Sequence, residues 1–314
     1  MLLVTGGTDF IGQSVLRRLA EFGYPVRTLL RPSRRSPDLP HGVAFDVTLA
    51  ALSDRRSVRA SLVGVKTVIH LDGAEGQWGT EDRLASDVAG THTIAEAAAD
   101  AGVQRIIYIS HLGADRSSAY PAMRARAMAE EHLRMSGVPF TIIRTTIIFG
   151  RLDNFTTSLA MMLAVAPLIF PIPGDGTTLF QPLWVEDLAT CITWALDEPS
   201  TIGQTIEIGG PEFLPLVQIL HMIMQNASSP RILLPTRPPY LKAGAWLLEH
   251  LIPQPPVTTL WLDYLAVSRT TDLNTLPRVF GLQPSRMEEN LSYLQERNWG
   301  WELLARQFAP RRRG

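Results

Sequence analysis

Lysine is almost missing from this chain. Lys66 and Lys242 are the only two among 29 basic residues, so arginine supplies nearly all the positive charge. Cysteine is scarcer still. Cys191 stands alone, which excludes an internal disulfide framework and suits a reducing compartment. Neither sign of charge dominates: 30 acidic residues give a formal net charge of −1, which offers no electrostatic case for nucleic acid. Long apolar runs are also lacking. The most apolar stretch, Leu159 to Ile172, is too short to span a bilayer and is interrupted by Pro167 and Pro171. The first apolar run begins at Leu2, so we expect no signal or transit peptide and a cytoplasmic protein with no membrane span. The seven histidines are scattered, no His-x-x-x-His or Cys-x-x-Cys pair occurs, and no metal site is expected. No serine sits in a nucleophile elbow, and there is no internal repeat.

What is present begins at once. The apolar run Leu2 to Val4 breaks into Gly6 and Gly7, then into a helical pattern of Ile11, Val15, Leu16 and Leu19. That is the strand–turn–helix opening of a dinucleotide-binding βαβ unit. Gly6 allows a tight turn, Gly12 allows the helix to pack closely on the sheet, and the helix N-terminus offers free N–H groups to a pyrophosphate. The middle position of the Gly6, 9, Gly12 rhythm calls for glycine and carries Asp9. Aspartate is a strong N-cap, so Asp9 is expected to take up donors that a pyrophosphate would use and to repel it, weakening but not abolishing binding; the other reading is that it points to solvent and the backbone still cradles the phosphates.

Thr-Gly-Gly-Thr-x-Phe-Ile-Gly, residues 5–12, resembles the opening of extended and atypical short-chain dehydrogenase/reductases. Later segments extend the resemblance. Asp46-Val47 is similar to the family's Asp-Leu pair beside the adenine, and Asp87-Val88-Ala89-Gly90-Thr91 to its Asn-Val-x-Gly-Thr. Ile107 to Ala114 resembles the atypical branch that includes NmrA-like and complex I accessory-subunit-like members, and Gln181 to Ala189 a further family motif. The resemblance runs from Leu2 to about Leu294.

Strands and helices alternate through the first half. Apolar runs at Val26–Leu30, Val43–Val47, Val65–Leu71, Arg105–Ser110 and Phe140–Ile148 read as strands, with helices between, including Ala119–Met135. We therefore expect an α/β fold, a doubly wound parallel sheet with a small, mostly helical C-terminal lobe. The Rossmann part is assigned to residues 1–150, completed by about 182–210, and the substrate lobe to 151–181 and 211–314. Leu214–Gln225, Leu260–Val267 and Met287–Leu294 are expected helices, 230–256 is proline-punctuated, and Arg311 to Arg313 form a solvated tail.

Carried over from the family, the cofactor residues are Gly6, Thr8, Asp9, Phe10, Ile11, Gly12, Arg31, Asp46, Val47, Leu71 and Gly73. An acid beyond the second strand would bind the ribose 2′-OH of NAD; Arg31, followed by Arg34 and Arg35, suits the 2′-phosphate of NADP. NADP is preferred, with NAD as the other candidate.

The catalytic part of the family pattern is degenerate. Its reductases use a tyrosine acid, a lysine four residues later on the same helix face, and a serine at the preceding strand end. Here no tyrosine has lysine four residues on. The candidates are Tyr120 with Arg124, and Ser110 or His111. In a second register Arg126-Ala127-Met128-Ala129-Glu130 matches Lys-Ala-x-x-Glu, and the tyrosine position falls on Ala122. Arginine is no equivalent of lysine, being bulkier, forked and always charged. Two functions follow: an oxidoreductase or isomerase acting on a small apolar substrate in the C-terminal lobe, or a non-catalytic accessory, assembly or nucleotide-sensing protein with a protein partner.

Overall fold

The protein is described by a computed structural model covering residues 1–33, 37, 39–74, 81–252 and 254–308. The expectations for Arg34, Arg35 and the terminal Arg311 to Arg313 lie outside the described residues. The chain forms two compact units.

The first unit comprises Met1–Thr145, Val185–Ile208 and Asn274–Leu282, the second the remainder. In chain order the elements are β1 (Leu2–Thr5), α1 (Phe10–Glu21), β2 (Val26–Leu30), β3 (Asp46–Leu49), α2 (Arg55–Ser61), β4 (Thr67–His70) and α3 (Glu81–Asp100). There follow β5 (Arg105–His111), α4 (Pro121–Met135), β6 (Phe140–Thr145), β7 (Ile148–Phe149), α5 (Phe155–Val165), β8 (Ile169–Pro173), β9 (Leu179–Phe180) and β10 (Leu183–Trp184). The last are α6 (Val185–Asp197), β11 (Thr205–Ile208), β12 (Leu214–Pro215), α7 (Leu216–Asn226), β13 (Ile232–Thr236), α8 (Pro238–Leu251), α9 (Thr259–Leu265), α10 (Thr275–Phe280) and α11 (Trp299–Phe308).

The first unit is built on a sheet of seven strands among the described residues, in the order β11-β6-β5-β4-β1-β2-β3, every pair parallel. Strands buried on both faces must be apolar throughout. Leu3, Val4, Val68, Ile69, Ile106, Ile107, Ile142 and Ile143 are accordingly sealed from solvent. The chain winds outward from β1 through β2 to β3, then returns to β4 on the other side of β1. That reversal opens a crevice at the carboxyl ends of β1 and β4, where ligands bind in such sheets. On the outside, α1 is joined to α6 by Glu186, which accepts from Ser14 Oγ at 2.9 Å and Arg17 Nη1 at 3.0 Å.

The second unit holds short two-stranded pairs and helices. β8 and β13 form a parallel ribbon, Ile169 opposite Ile232 through Pro173 opposite Thr236. Several boundaries differ from the sequence reading. The third strand lies at Asp46–Leu49, displaced from Val43–Val47. The expected strand Phe140–Ile148 divides: β6 belongs to the large sheet, while β7 pairs with β10 in the second unit. Residues 230–256 carry both β13 and α8, because Pro238 and Pro239 occupy the first helical turn, where no intrahelical N–H bond is needed. The expected helix Met287–Leu294 consists of two 3₁₀ turns, Glu288–Asn290 and Ser292–Leu294.

Gly12 is the tightest joint of the first unit. A Cβ there would collide with the Gly6 carbonyl oxygen and lie 2.6 Å from Gly7 Cα. Since both obstacles are backbone, Gly12→Ala is expected to lower stability in a urea titration by about 3 kcal/mol. Wild-type stability in that variant would contradict the packing described.

Candidate functional site

The crevice begins at Gly6, whose φ of 71° is a conformation only glycine adopts freely. The turn presses against the exit of β4: a Cβ on Gly6 would meet Asp72 N and Leu71 C at 3.0 Å. Phe10 and Ile11 are buried, so at the helix start they have only backbone N–H groups to offer. Thr8 accepts at its carbonyl from Gln13 Nε2, 3.3 Å.

Asp9 has the extended N-cap backbone, φ −81° and ψ 165°, yet makes no side-chain capping bond. The expected use of its carboxylate on the helix N–H groups is therefore not found. Its negative charge contributes instead to the field that holds the Arg31 guanidinium protonated. There is no acidic residue in the first turn of α1. The turn thus retains the donors, glycine geometry and helix polarity that a pyrophosphate requires, with one carboxylate at its mouth.

Arg31 follows β2 directly, and its Nη2 lies 2.8 Å from Asp72 Oδ1 and 4.0 Å from Asp87 Oδ1. Burial works against the Arg31 charge, but Asp72, Asp87 and Asp9 together raise its pKa. Because β1 lies between β2 and β4, the Arg31–Asp72 bridge crosses the carboxyl end of β1, at the level of the glycine turn. Asp46 and Val47 sit on the edge strand β3. Asp46 accepts from Arg27 Nε at 2.7 Å, and Val47 is exposed. Leu71 is buried behind the crevice, and its N–H donates to Thr5 O at 3.3 Å.

Behind Asp72 lies a network of buried polar groups. Arg126, 2% exposed, donates from Nη1 to Tyr108 Oη at 2.9 Å and from Nη2 to the Gly73 carbonyl, and stands 3.8 Å from Asp87 Oδ2. Gly73, at φ 73°, makes room: a Cβ would fall 2.5 Å from Arg126 Nη2 and 2.6 Å from Asp87 Oδ2. Burial raises the Asp87 pKa, with Arg126 opposing. His70 is wholly buried and its pKa is lowered to about 4, chiefly by burial, so it is neutral. The Thr91 hydroxyl donates to Asp87 O; it therefore accepts from His70 Nε2–H at 2.9 Å, and Nδ1 accepts from the Thr5 hydroxyl at 2.7 Å.

The catalytic candidates are placed as follows. Ser110 is buried at the end of β5 and donates to Glu130 Oε1 at 2.6 Å. Glu130 also receives Arg144 and Arg134, at 2.8 and 2.9 Å. Burial alone would raise the Glu130 pKa; the bonds from Arg144 and Ser110 lower it overall. His111 is buried beside Ser110. Tyr120 is the half-buried N-cap residue of α4, and Arg124 Nη1 donates to Ser118 O at 2.8 Å. Arg124 is thus directed to the loop before its helix, whereas Arg126 is directed to the β4 exit. Ala122, at the start of α4, is buried and carries no polar group. Sequence reasoning does not single out Arg126, Asp87, Asp72 or His70 as site residues, although Arg-Ala-x-x-Glu is the visible signal for the first.

Comparisons with known proteins agree with this geometry. A family model described as NAD(P)H-binding matches residues 6–158. The chain is 34% identical to the mitochondrial NADH dehydrogenase (ubiquinone) 1 alpha subcomplex subunit 9 of Arabidopsis thaliana, over 67% of this chain and 53% of that protein. It therefore spans about half the length of that relative. The Mus musculus protein of the same name is 30% identical, over 91% of this chain and 77% of its own length. Among solved structures, an NADPH-dependent quinone oxidoreductase from Escherichia coli complexed with NADPH has a TM-score of 0.73 at 18% identity, covering 94% of this chain and 99% of that one. The chain belongs to the NAD(P)-binding family of atypical short-chain dehydrogenase/reductases. Within it, the chain falls in the branch resembling the complex I accessory subunit.

Removing Arg126 would take from the buried Asp87 carboxylate the guanidinium at 3.8 Å, Arg31 remaining at 4.0 Å. Arg126→Met is expected to cost about 4 kcal/mol at neutral pH. Asp87 holds its proton more tightly folded than unfolded, so its contribution to stability falls as pH rises from the ordinary carboxylate value through the raised one. Without Arg126 that pKa rises further, and the deficit should shrink in acid. A deficit independent of pH, measured by denaturant titration, would contradict the pairing.

Proposed function

We propose that this protein binds NADP(H) at the glycine turn and keeps it as a bound ligand, serving as an accessory or nucleotide-sensing protein and not as a turning-over reductase. The observation that carries this reading is Arg126. It stands at the family's lysine position in the register that puts Ala122 at the tyrosine position, and its guanidinium is fixed on Asp87, Tyr108 and Gly73. A cation so fixed is unsuited to holding a ribose hydroxyl and lowering a tyrosine pKa, and Ala122 has no proton to give. A bound dinucleotide would supply a hydride at its nicotinamide ring; among the described residues, the tyrosine position of this register, Ala122, brings no proton donor to accompany it.

In this reading the backbone from Gly6 to Gly12 receives the pyrophosphate, and Arg31 receives the 2′-phosphate by exchanging Asp72 for it. The exchange favours NADP over NAD because only NADP replaces the lost carboxylate with another anion. The mouse and Arabidopsis relatives are named as subunits of an assembly, which supports a protein partner here. A single cysteine, Cys191, leaves nothing for an internal disulfide, which suits a reducing compartment such as the cytoplasm.

Calorimetric titration is expected to show NADPH binding at least tenfold more tightly than NADH, as a charge-assisted bond worth about 1.5–3 kcal/mol implies. Arg31→Ala should erase the preference. Asp72→Asn should tighten NADPH binding by releasing Arg31, and Asp9→Gly should tighten it by removing repulsion at the turn. An unchanged ratio of the two affinities in Arg31→Ala would overturn the assignment.

A further inference from the structure

The second unit contains a cavity of about 360 Å³ to which no residue of the first unit contributes. Its walls are the β8–β13 ribbon, helices α8 and α9, and one side each of α5 and α7. Among the described residues, no carboxylate, lysine, arginine or histidine lines it. The hydroxyls at its edge belong to Thr236 and Tyr240, and that of Thr236 already donates to Leu234 O at 3.0 Å. A charged or strongly polar group taken inside would lose its hydration without a partner in return. The contents must be hydrocarbon.

The wall is apolar on both of its faces, which is unusual for a two-stranded ribbon and a helix at the surface. Phe170, Pro171, Ile172 and Pro173 line the cavity, while Ile169, Ile232 and Leu234 of the same ribbon do not and are between 46% and 59% exposed. On α8, Leu241, Ala245 and Leu248 face inward, while Trp246, Leu247 and Leu251 are between 50% and 69% exposed. The mouth is marked by exposed Pro171, Tyr240 and Gly244. At roughly 30 Å³ per methylene-sized unit, the volume a water takes in the liquid, the cavity holds a chain of about a dozen carbons.

We propose that this cavity binds one uncharged hydrocarbon chain, the tail of a lipid or an isoprenoid, with its polar head left outside the mouth. The exposed apolar side chains of the outer wall fit that source, because they would lie against the lipid from which a chain leaves. The proposal is independent of the nucleotide reading, since its residues and its readout involve neither Arg31 nor the glycine turn.

The test is a fluorescence titration of the full chain with cis-parinaric acid, followed by displacement with dodecanol and with farnesol. One saturating equivalent is expected, unaffected by NADPH. Displacement by dodecanol identifies a straight tail, displacement by farnesol an isoprenoid. Gly244→Leu fills the mouth, where a Cβ meets nothing within 4 Å, and also favours the helix. It should weaken the probe at least tenfold without lowering the melting temperature; Leu248→Phe serves the same purpose should Gly244→Leu fail to fold. Leu247→Ser with Leu251→Ser, on the outer face, should leave affinity within twofold. The proposal is overturned by probe binding that does not saturate or that neither alcohol displaces. Wild-type affinity in the filled variants, or loss of binding in the outer-face variant alone, would overturn it equally.

Discussion

A guanidinium taken out of water has to be given its partners by the protein, and Arg126 takes them from three different elements. Tyr108 comes from the middle of β5, Gly73 from the exit of β4, and Asp87 from the first half of α3. Helix α4 is thereby fixed against the carboxyl end of the sheet, where a reductase of this family would keep its proton donor. The cost of leaving either member of such a pair alone exceeds what most single contacts contribute, so the arrangement resists piecemeal change. Glycine at 73 is a consequence of it, because any Cβ there would press on both charges.

The same crevice carries a second cation that is not fixed in this way. Arg31 is partly exposed and bonded to one carboxylate, Asp72, with Asp87 and Asp9 contributing at longer range. A row of three acids and two arginines therefore runs from the glycine turn to α4. The inner arginine is structural. In the proposed reading the outer one exchanges one anion for another, and the difference in exposure separates the two. Asp9, foreign to the family's glycine rhythm, makes no side-chain cap on the helix and adds its charge to the field around Arg31.

Much of the first unit is legible in the sequence because parallel strands buried on both faces must be continuous apolar runs, and such runs stand out at Leu2–Val4 and Val65–Leu71 and, as far as Thr145, in the run that begins at Phe140. The glycine turn was legible for a similar reason: backbone contact at Gly12 admits no other residue. Where burial was partial, the reading weakened. The edge strand β3 is mostly exposed and was displaced by three residues at its start. Helix α8 was hidden by Pro238 and Pro239, which read as breaks although they open the helix. At the site, Arg31 was legible from its distance beyond the turn, but its bond to Asp72 was not, since the two residues meet only through the strand order. Arg126 was visible as a motif, and its importance emerged only with Asp87 and Gly73 beside it.

The central claim is that a nicotinamide nucleotide is held here without chemistry. It is tested most directly by following the near-ultraviolet absorbance of the protein–NADPH complex under anaerobic conditions while carbonyl and quinone acceptors are added in excess. The account predicts that the absorbance of the reduced nicotinamide persists in every case, at the rate of free NADPH or slower. Decay accompanied by a stoichiometric reduced product, faster than in the absence of protein, would show that an acid does operate in this crevice and would contradict the role assigned to Arg126.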